Sequence, residues 1–225
     1  MVTINEINEL CKLYALGDND TINQTVNNNP YALALLDMTM TDKLSNSLKR
    51  EKISLELVGA DHSSAMHGYD GMKGGRPVEG KSEQYNSCST TSTVVQGCGV
   101  FGGIVDEASI EQKVEDNLQM YHSFWADGRL ACIVSFDFKD ITPRLYKYIN
   151  NRKNGKKTAV KYSSYIDWID SPSLKLEYFN EDHFKKLYDG VTSNFYWSMW
   201  SLYKKSITEA VKMGYLYDKG LFIRG

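Results

Sequence analysis

The sequence predicts a mixed α/β (α+β) fold: a mixed β-sheet flanked by helices, with helical parts at both ends of the chain. Three observations carry that prediction. Apolar residues recur at helical spacing over the first fifty residues and again beyond residue 181. Two β-prone runs, LQMYHSFW and RLACIVSFDF, flank the turn Ala126-Asp127-Gly128. A glycine-rich turn, KGG, separates SAMHGYDGM from RPVEGKSE in the pattern of a hairpin. No internal repeat or linker composition divides the chain. One domain is expected, with residues 1–58 as a helical N-terminal part, 59–180 as the mixed-sheet core and 181–225 as a helical C-terminal part.

Each element follows from local signals. In INEINELCKLYALG, Ile4, Ile7, Leu10, Leu13 and Tyr14 share a helical face, and Gly17 is the stop. The Asn-rich DNDTINQTVNNNP breaks the pattern, and Pro30 suits the first turn of an interrupted helix that ends at Gly59 and carries Glu56. After the KGG hairpin, STTSTVVQGCGVFGGIVDEA reads as irregular, and DEASIEQKVEDN as a short acidic helix or exposed loop. ITPRLYKYINNR is a helix with Pro143 in its first turn. KTAVKYSSYIDW and SLKLEYF are expected to pair as strands. The last part, NEDHFKKLYDGVTSNFYWSMWSLYKKSITEAVKMG, is amphipathic and helical, with a break at Gly190.

Composition narrows the function classes. With 42% hydrophobic and 24% charged residues, the chain is of ordinary globular make-up rather than disordered. A net charge of −2 means that contact with a polyanion would come from local patches and metal ions, not from the overall field. Cys11, Cys88, Cys98 and Cys132 form no C-x-x-C pair and fit reduced thiols. The first twenty residues lack a signal-peptide pattern, and no apolar run approaches the ~18–20 residues of a membrane span, so a cytoplasmic location is expected.

The chemistry-bearing stretch is GYDGMKGGRPVEGKSE. Asp70 precedes the glycine turn, and Glu79 and Lys81 follow it in the spacing D-x8-E-x-K. Strand side chains alternate, so Glu79 and Lys81 share a face, and the hairpin brings Asp70 beside them. A carboxylate pair suits hard, oxygen-seeking Mg²⁺, which keeps its waters and bridges to phosphate oxygens. A lysine on the same face can hold or deprotonate an attacking water, or stabilise a phosphorane.

This pattern resembles the PD-(D/E)xK phosphodiesterase superfamily, whose members include type II restriction endonucleases, resolvases and recombination nucleases. Asp70 matches the first acid, and Glu79-Gly80-Lys81 the E-x-K. VEGKSE, GVFGGIVDEAS and SFWADGRLACIVSFDF also resemble segments of small phage-encoded members, and the resemblance covers roughly residues 50–165. It implies a restriction-endonuclease-like core and Mg²⁺, with Mn²⁺ as a substitute, bound by Asp70, Glu79 and the Gly80 carbonyl. It further implies that Lys81 positions the water and that Glu56, on the preceding helix, is a supporting acid. Two positions depart from the pattern: Tyr69 stands where Pro is common, and Gly80 where a hydrophobic residue is usual.

Other candidates carry less. Asp61, His62, His67 and His122 fit no zinc spacing and are at most supporting residues of the site. GCGVFGG lacks the context of a phosphate loop and reads as a segment near the site. Asp106 and Glu107 either approach the metal or substrate or, as such acids more often do, cap the following helix. Arg152, Lys153, Lys156 and Lys157, with Lys161, form the densest basic run, and Lys73 and Arg76 a second patch; these are the candidate nucleic-acid contacts. Phe195, Met199, Leu202 and Tyr203 form a stripe suited to the core or a dimer face. The expectation is a Mg²⁺-dependent DNA endonuclease, homodimeric through its C-terminal helices. RNA or branched DNA is not separated from duplex DNA as substrate, and the rival is a non-catalytic nucleic-acid-binding or host-interaction protein that keeps the fold.

Overall fold

The computed structural model describes residues 4–41, 47–63, 68–87, 94–154, 160–162, 164–213, 215–218 and 221–224. His67, Cys88, Lys156 and Lys157 lie outside them. The N-terminal helices are α1 (Ile4–Leu16), α2 (Asn19–Thr25), α3 (Pro30–Thr41) and α4 (Ser47–Leu57). Helix α2 occupies the stretch expected to be a break, because the Asp18 carboxylate accepts the Thr21 N–H and caps it. The strands β1 (Asp61–His62), β2 (Gly71–Lys73), β3 (Arg76–Tyr85) and β4 (Gly99–Val100) follow, then α5 (Glu107–Glu115), β5 (Gln119–Ala126), β6 (Arg129–Asp137) and α6 (Thr142–Lys153). The chain ends with β7 (Lys161–Tyr162), β8 (Lys175–Phe179), α7 (Glu181–Lys185), α8 (Ser193–Lys212) and a hairpin of β9 (Tyr215–Asp218) and β10 (Leu221–Arg224). That hairpin corrects the expectation that 181–225 is helical throughout.

The fold is mixed α/β. Its main sheet has the order β1-β2-β3-β5-β6-β8, with β3 and β5 parallel and the other neighbours antiparallel. Strands β5 and β6 are buried on both faces, which explains why both read as near-continuous apolar runs. The parallel pair needs a crossover, and α5 supplies it. Sequence neighbours β7 and β8 do not pair with each other as expected: β7 pairs with β4 in a separate two-stranded ribbon, while β8 extends the main sheet. The KGG turn is as expected. Gly74 and Gly75 both have positive φ, 58° and 78°, and close a two-residue hairpin between Lys73 and Arg76.

Two apolar cores sandwich the sheet. One joins α1–α4 to Val78, Tyr121, Trp125 and Ile133; the other joins α5–α8 to Met120, Phe124, Val134 and Phe136. The stripe of Phe195, Met199 and Tyr203 packs into the second core, with Leu202 at its edge. Among the described residues no helix is long and apolar enough to cross a membrane, and Cys11, Cys98 and Cys132 are free thiols.

Arg129, at the start of β6, fastens the N-terminal helices to the sheet. Its guanidinium stacks 3.6 Å from the Tyr14 ring centroid, donates to the Tyr14 carbonyl and reaches Asn19 Oδ1 at 2.9 Å. Arg129→Ala is expected to cost about 1–3 kcal/mol in urea unfolding. An unchanged midpoint would mean that apolar contact alone docks these helices.

Candidate active site

Asp70, Glu79 and Lys81 meet at one place, where β2 leaves β3. Strand β2 pairs with β3 only as far as Val78, and Asp70 lies just before β2. The Asp70 N–H still donates to the Val78 carbonyl at 3.1 Å, and its Oδ2 accepts the Gly80 N–H at 2.8 Å. The Asp70 carboxylate thus satisfies a strand amide that has lost its neighbour.

On the far side of β3's pleat, Glu79 and Lys81 point the same way, as period-two alternation requires. Lys81 Nζ donates to Glu79 Oε1 at 2.6 Å and to the Gly80 carbonyl at 2.9 Å, and lies 4.0 Å from Asp70 Oδ2. Burial works against the ammonium, but Glu79, followed by Asp70 and Glu51, outweighs it and holds the Lys81 pKa above its ordinary value. In this state Lys81 is a charged donor and not a base.

Glu51 is the residue that sequence reading missed, and Glu56 the one it misassigned. The two are about 140° apart around α4. Glu56 is 39% exposed and pairs with Lys52 at 3.6 Å, one turn back, so it does not join the site. Glu51 turns inward, and the fields of Lys81, Asp70 and Glu79 all act on it. A signal existed: Lys52 and Glu56 have the i,i+4 spacing of a solvated ion pair, whereas Glu51 shares its face with Leu55, which is fully buried.

Gly80 is explained by the same helix. A Cβ there would lie 3.3 Å from Leu55 Cδ1 and 3.5 Å from Glu51 Cβ. The apolar side chain usual at this position is replaced by Leu55, reaching down from α4, and the close approach carries Glu51 to the strand. Arg50, buried beside it, donates to Gln84 Oε1 at 2.9 Å and holds α4 along β3.

The basic residues have mixed fates. Arg76 is not free for nucleic acid: it donates to the carbonyls of Asn117 and Leu118 and pairs with Asp137 at 2.6 Å, clamping the start of β3 to β5 and β6. Lys73 Nζ lies 5.3 Å from the Tyr121 ring centroid. Lys153 pairs with Glu107 at 2.8 Å, and Arg152 is exposed at the end of α6. Asp106 caps α5 through Ser109, as expected. His62 lies in β1, and His122 is fully buried opposite Lys81 in the β3–β5 register.

Three carboxylates (Glu51, Asp70, Glu79) and the Gly80 carbonyl are hard oxygen donors, the chemistry that suits Mg²⁺. Among the described residues no three His, Cys, Asp or Glu side chains are gathered closely enough to hold an ion, and the Lys81 ammonium is the cation that Glu79 contacts. No family model matches the chain, and no curated protein matches it.

Burial, opposed by Lys81, pushes the Glu51 carboxyl up from 4.5 to about 7. The unfolded chain releases this proton at the lower pH, so the native state holds the extra proton between the two values and stability falls as pH rises. Glu51→Gln should therefore gain on the wild type by about 1–3 kcal/mol between pH 4 and pH 8, read from unfolding curves at each pH. A constant difference across that range would mean that Glu51 titrates normally. Gly80→Val is expected to lose about 1–3 kcal/mol, because Leu55 and Glu51 must move away. Stability equal to wild type would mean that α4 adjusts freely.

Proposed function

We propose that this chain is a divalent-cation-dependent endonuclease that hydrolyses DNA phosphodiester bonds in the cytoplasm. The observation that carries the reading is the convergence of Glu51, Asp70, Glu79 and Lys81 at the end of the β2–β3 pairing. It extends the resemblance to the PD-(D/E)xK superfamily by an acid on the preceding helix, at Glu51 rather than Glu56.

Asp70 and Glu79, with the Gly80 carbonyl, would hold Mg²⁺ or Mn²⁺, and Glu51 would support them from the helix side. The bound ion would acidify a water and neutralise charge on the phosphate. Lys81, kept charged by its acidic neighbours, orients the attacking water or donates to a non-bridging phosphate oxygen. Phe101, buried, lies with its ring centroid 5.6 Å from Lys81 Nζ and limits the water around the ammonium. Lys73, Arg152 and Lys161 are the remaining candidate phosphate contacts that have described positions and no ion pair among the described residues, now without Arg76. A homodimer through α8, which exposes Trp197, would bring two such sites to one duplex.

A second reading has its own support. Lys81 pairs with Glu79, and Asp70 caps a backbone amide, so these groups are partnered without any ion. That is what a non-catalytic nucleic-acid-binding protein of this fold would retain.

The test is cleavage of plasmid and single-stranded DNA by the wild type, Lys81→Ala and Asp70→Asn, with Mg²⁺, Mn²⁺ or EDTA. Metal-dependent nicking, reduced about 100- to 1,000-fold in both variants, is expected. DNA binding without cleavage of any substrate in either metal would favour the second reading.

A further inference from the structure

Strand β3 carries a third charged residue on the Glu79–Lys81 face. Glu83 Oε2 accepts two backbone N–H groups, from Gln96 at 3.2 Å and Gly97 at 2.6 Å. These amides lie at the start of the glycine-rich GCGVFGG segment and just before it, a stretch of which the proposed function uses only Phe101. The same oxygen lies 3.6 Å from Nε2 of His122, a fully buried imidazole whose Nε2 has no hydrogen-bond partner among the described residues. The other ring nitrogen, Nδ1, lies 2.8 Å from the Tyr162 hydroxyl.

The segment held by Glu83 is built into place rather than draped. Gly97 has φ +70°, and a Cβ on it would lie 2.9 Å from Trp168; its carbonyl accepts the Trp168 indole N–H at 3.0 Å. A Cβ on Gly99 would lie 2.3 Å from the Tyr162 ring, and Gly99 pairs with Tyr162 between β4 and β7. Gly97 and Gly99 therefore leave no room for side chains. Two residues on, the Phe101 N–H donates to the Val160 carbonyl at 2.9 Å, and the Phe101 ring packs beside Lys81. The path from Glu83 to Lys81 is short: two residues along β3, or through the clamped segment to Phe101.

We propose that Glu83 is a positioning residue for the hydrolysis: by latching the Gln96 and Gly97 amides, it holds the wall that ends in Phe101 against Lys81 and so fixes where the ammonium points. The proposal rests on the nuclease reading. His122 lies between this carboxylate and the Tyr162 hydroxyl. A carboxylate that organises a wall through backbone amides acts on the geometry of the reacting group, not on affinity for DNA. Misplacing such a group by about 1 Å can cost 100-fold in rate.

The experiment compares the wild type, Glu83→Ala, Glu83→Gln and Phe101→Leu in single-turnover plasmid cleavage with Mg²⁺. DNA affinity is measured in EDTA, and amide hydrogen exchange at Gln96 and Gly97 by NMR. Glu83→Ala is expected to lose about 10- to 100-fold in rate with affinity within about twofold, and to exchange faster at both amides. Glu83→Gln, whose side-chain oxygen still accepts both N–H groups, should recover most of the rate. Phe101→Leu should reproduce the rate loss while leaving exchange at both amides slow. A Glu83→Ala rate equal to wild type would overturn the proposal, and so would a rate loss matched by an equal loss of DNA affinity. If Glu83→Ala does not fold, Glu83→Gln and Phe101→Leu decide: wild-type rates in Phe101→Leu would remove the wall from the reaction. An inert wild type overturns the nuclease reading and the catalytic half of the proposal with it. The exchange rates then judge the latch alone, and unchanged exchange in Glu83→Gln and Glu83→Ala would overturn that half too.

Discussion

The Gly80 N–H is the backbone group around which this molecule is arranged. On one side β3 is paired with β5 from Val78 to Tyr85; on the other its partner β2 stops at Val78. Past that point the strand's amides need acceptors from elsewhere, because a sheltered backbone donor left unpaired costs as much as a lost hydrogen bond. The Asp70 carboxylate meets that need at Gly80. The gap left by β2 is also where α4 comes down onto the strand, and the absence of a side chain at Gly80 sets how close it comes.

One geometric event therefore produces both the acidity and the shape of the site. Asp70 arrives in the plane of the sheet, Glu79 and Lys81 from one face, and Glu51 from the helix side. Negative groups outnumber the single ammonium, and the charge is resolved unevenly. Lys81 keeps its proton more firmly than usual, while Glu51, desolvated beneath the helix, holds its own proton to about 7. A cation added here would favour the ionised form of Glu51 and compete with the Lys81 ammonium for Glu79.

Glu79 and Lys81 of E-x-K and their shared face were legible from spacing alone, because alternation along a strand is a local property. So were the glycine-rich turn at KGG, the stop at Gly17 and the helix start at Pro30. Glu51 was legible only as an acid sharing a face with Leu55; that this face meets the strand depends on the contact of Leu55 with Gly80, residues far apart in sequence. The role of Arg76 was likewise hidden: its three acceptors come from Asn117, Leu118 and Asp137, brought together only by the parallel docking of β5 on β3. Strand β7 was mispaired because two adjacent β-prone runs suggest a hairpin by default, whereas its partner, β4, lies some sixty residues earlier.

By itself the sequence determined the local periodicities: which of the longer segments are helices or strands, where most of them turn, and that Glu79 and Lys81 look the same way. Tertiary structure decided the neighbours: that β3 runs parallel to β5, that β2 ends early enough to free the Gly80 amide, and that Glu51 rather than Glu56 completes the acidic cluster. The division has a physical cause. Backbone geometry and side-chain alternation act over a few residues, whereas burial, desolvation and ion pairing depend on which distant surfaces the folded chain presses together.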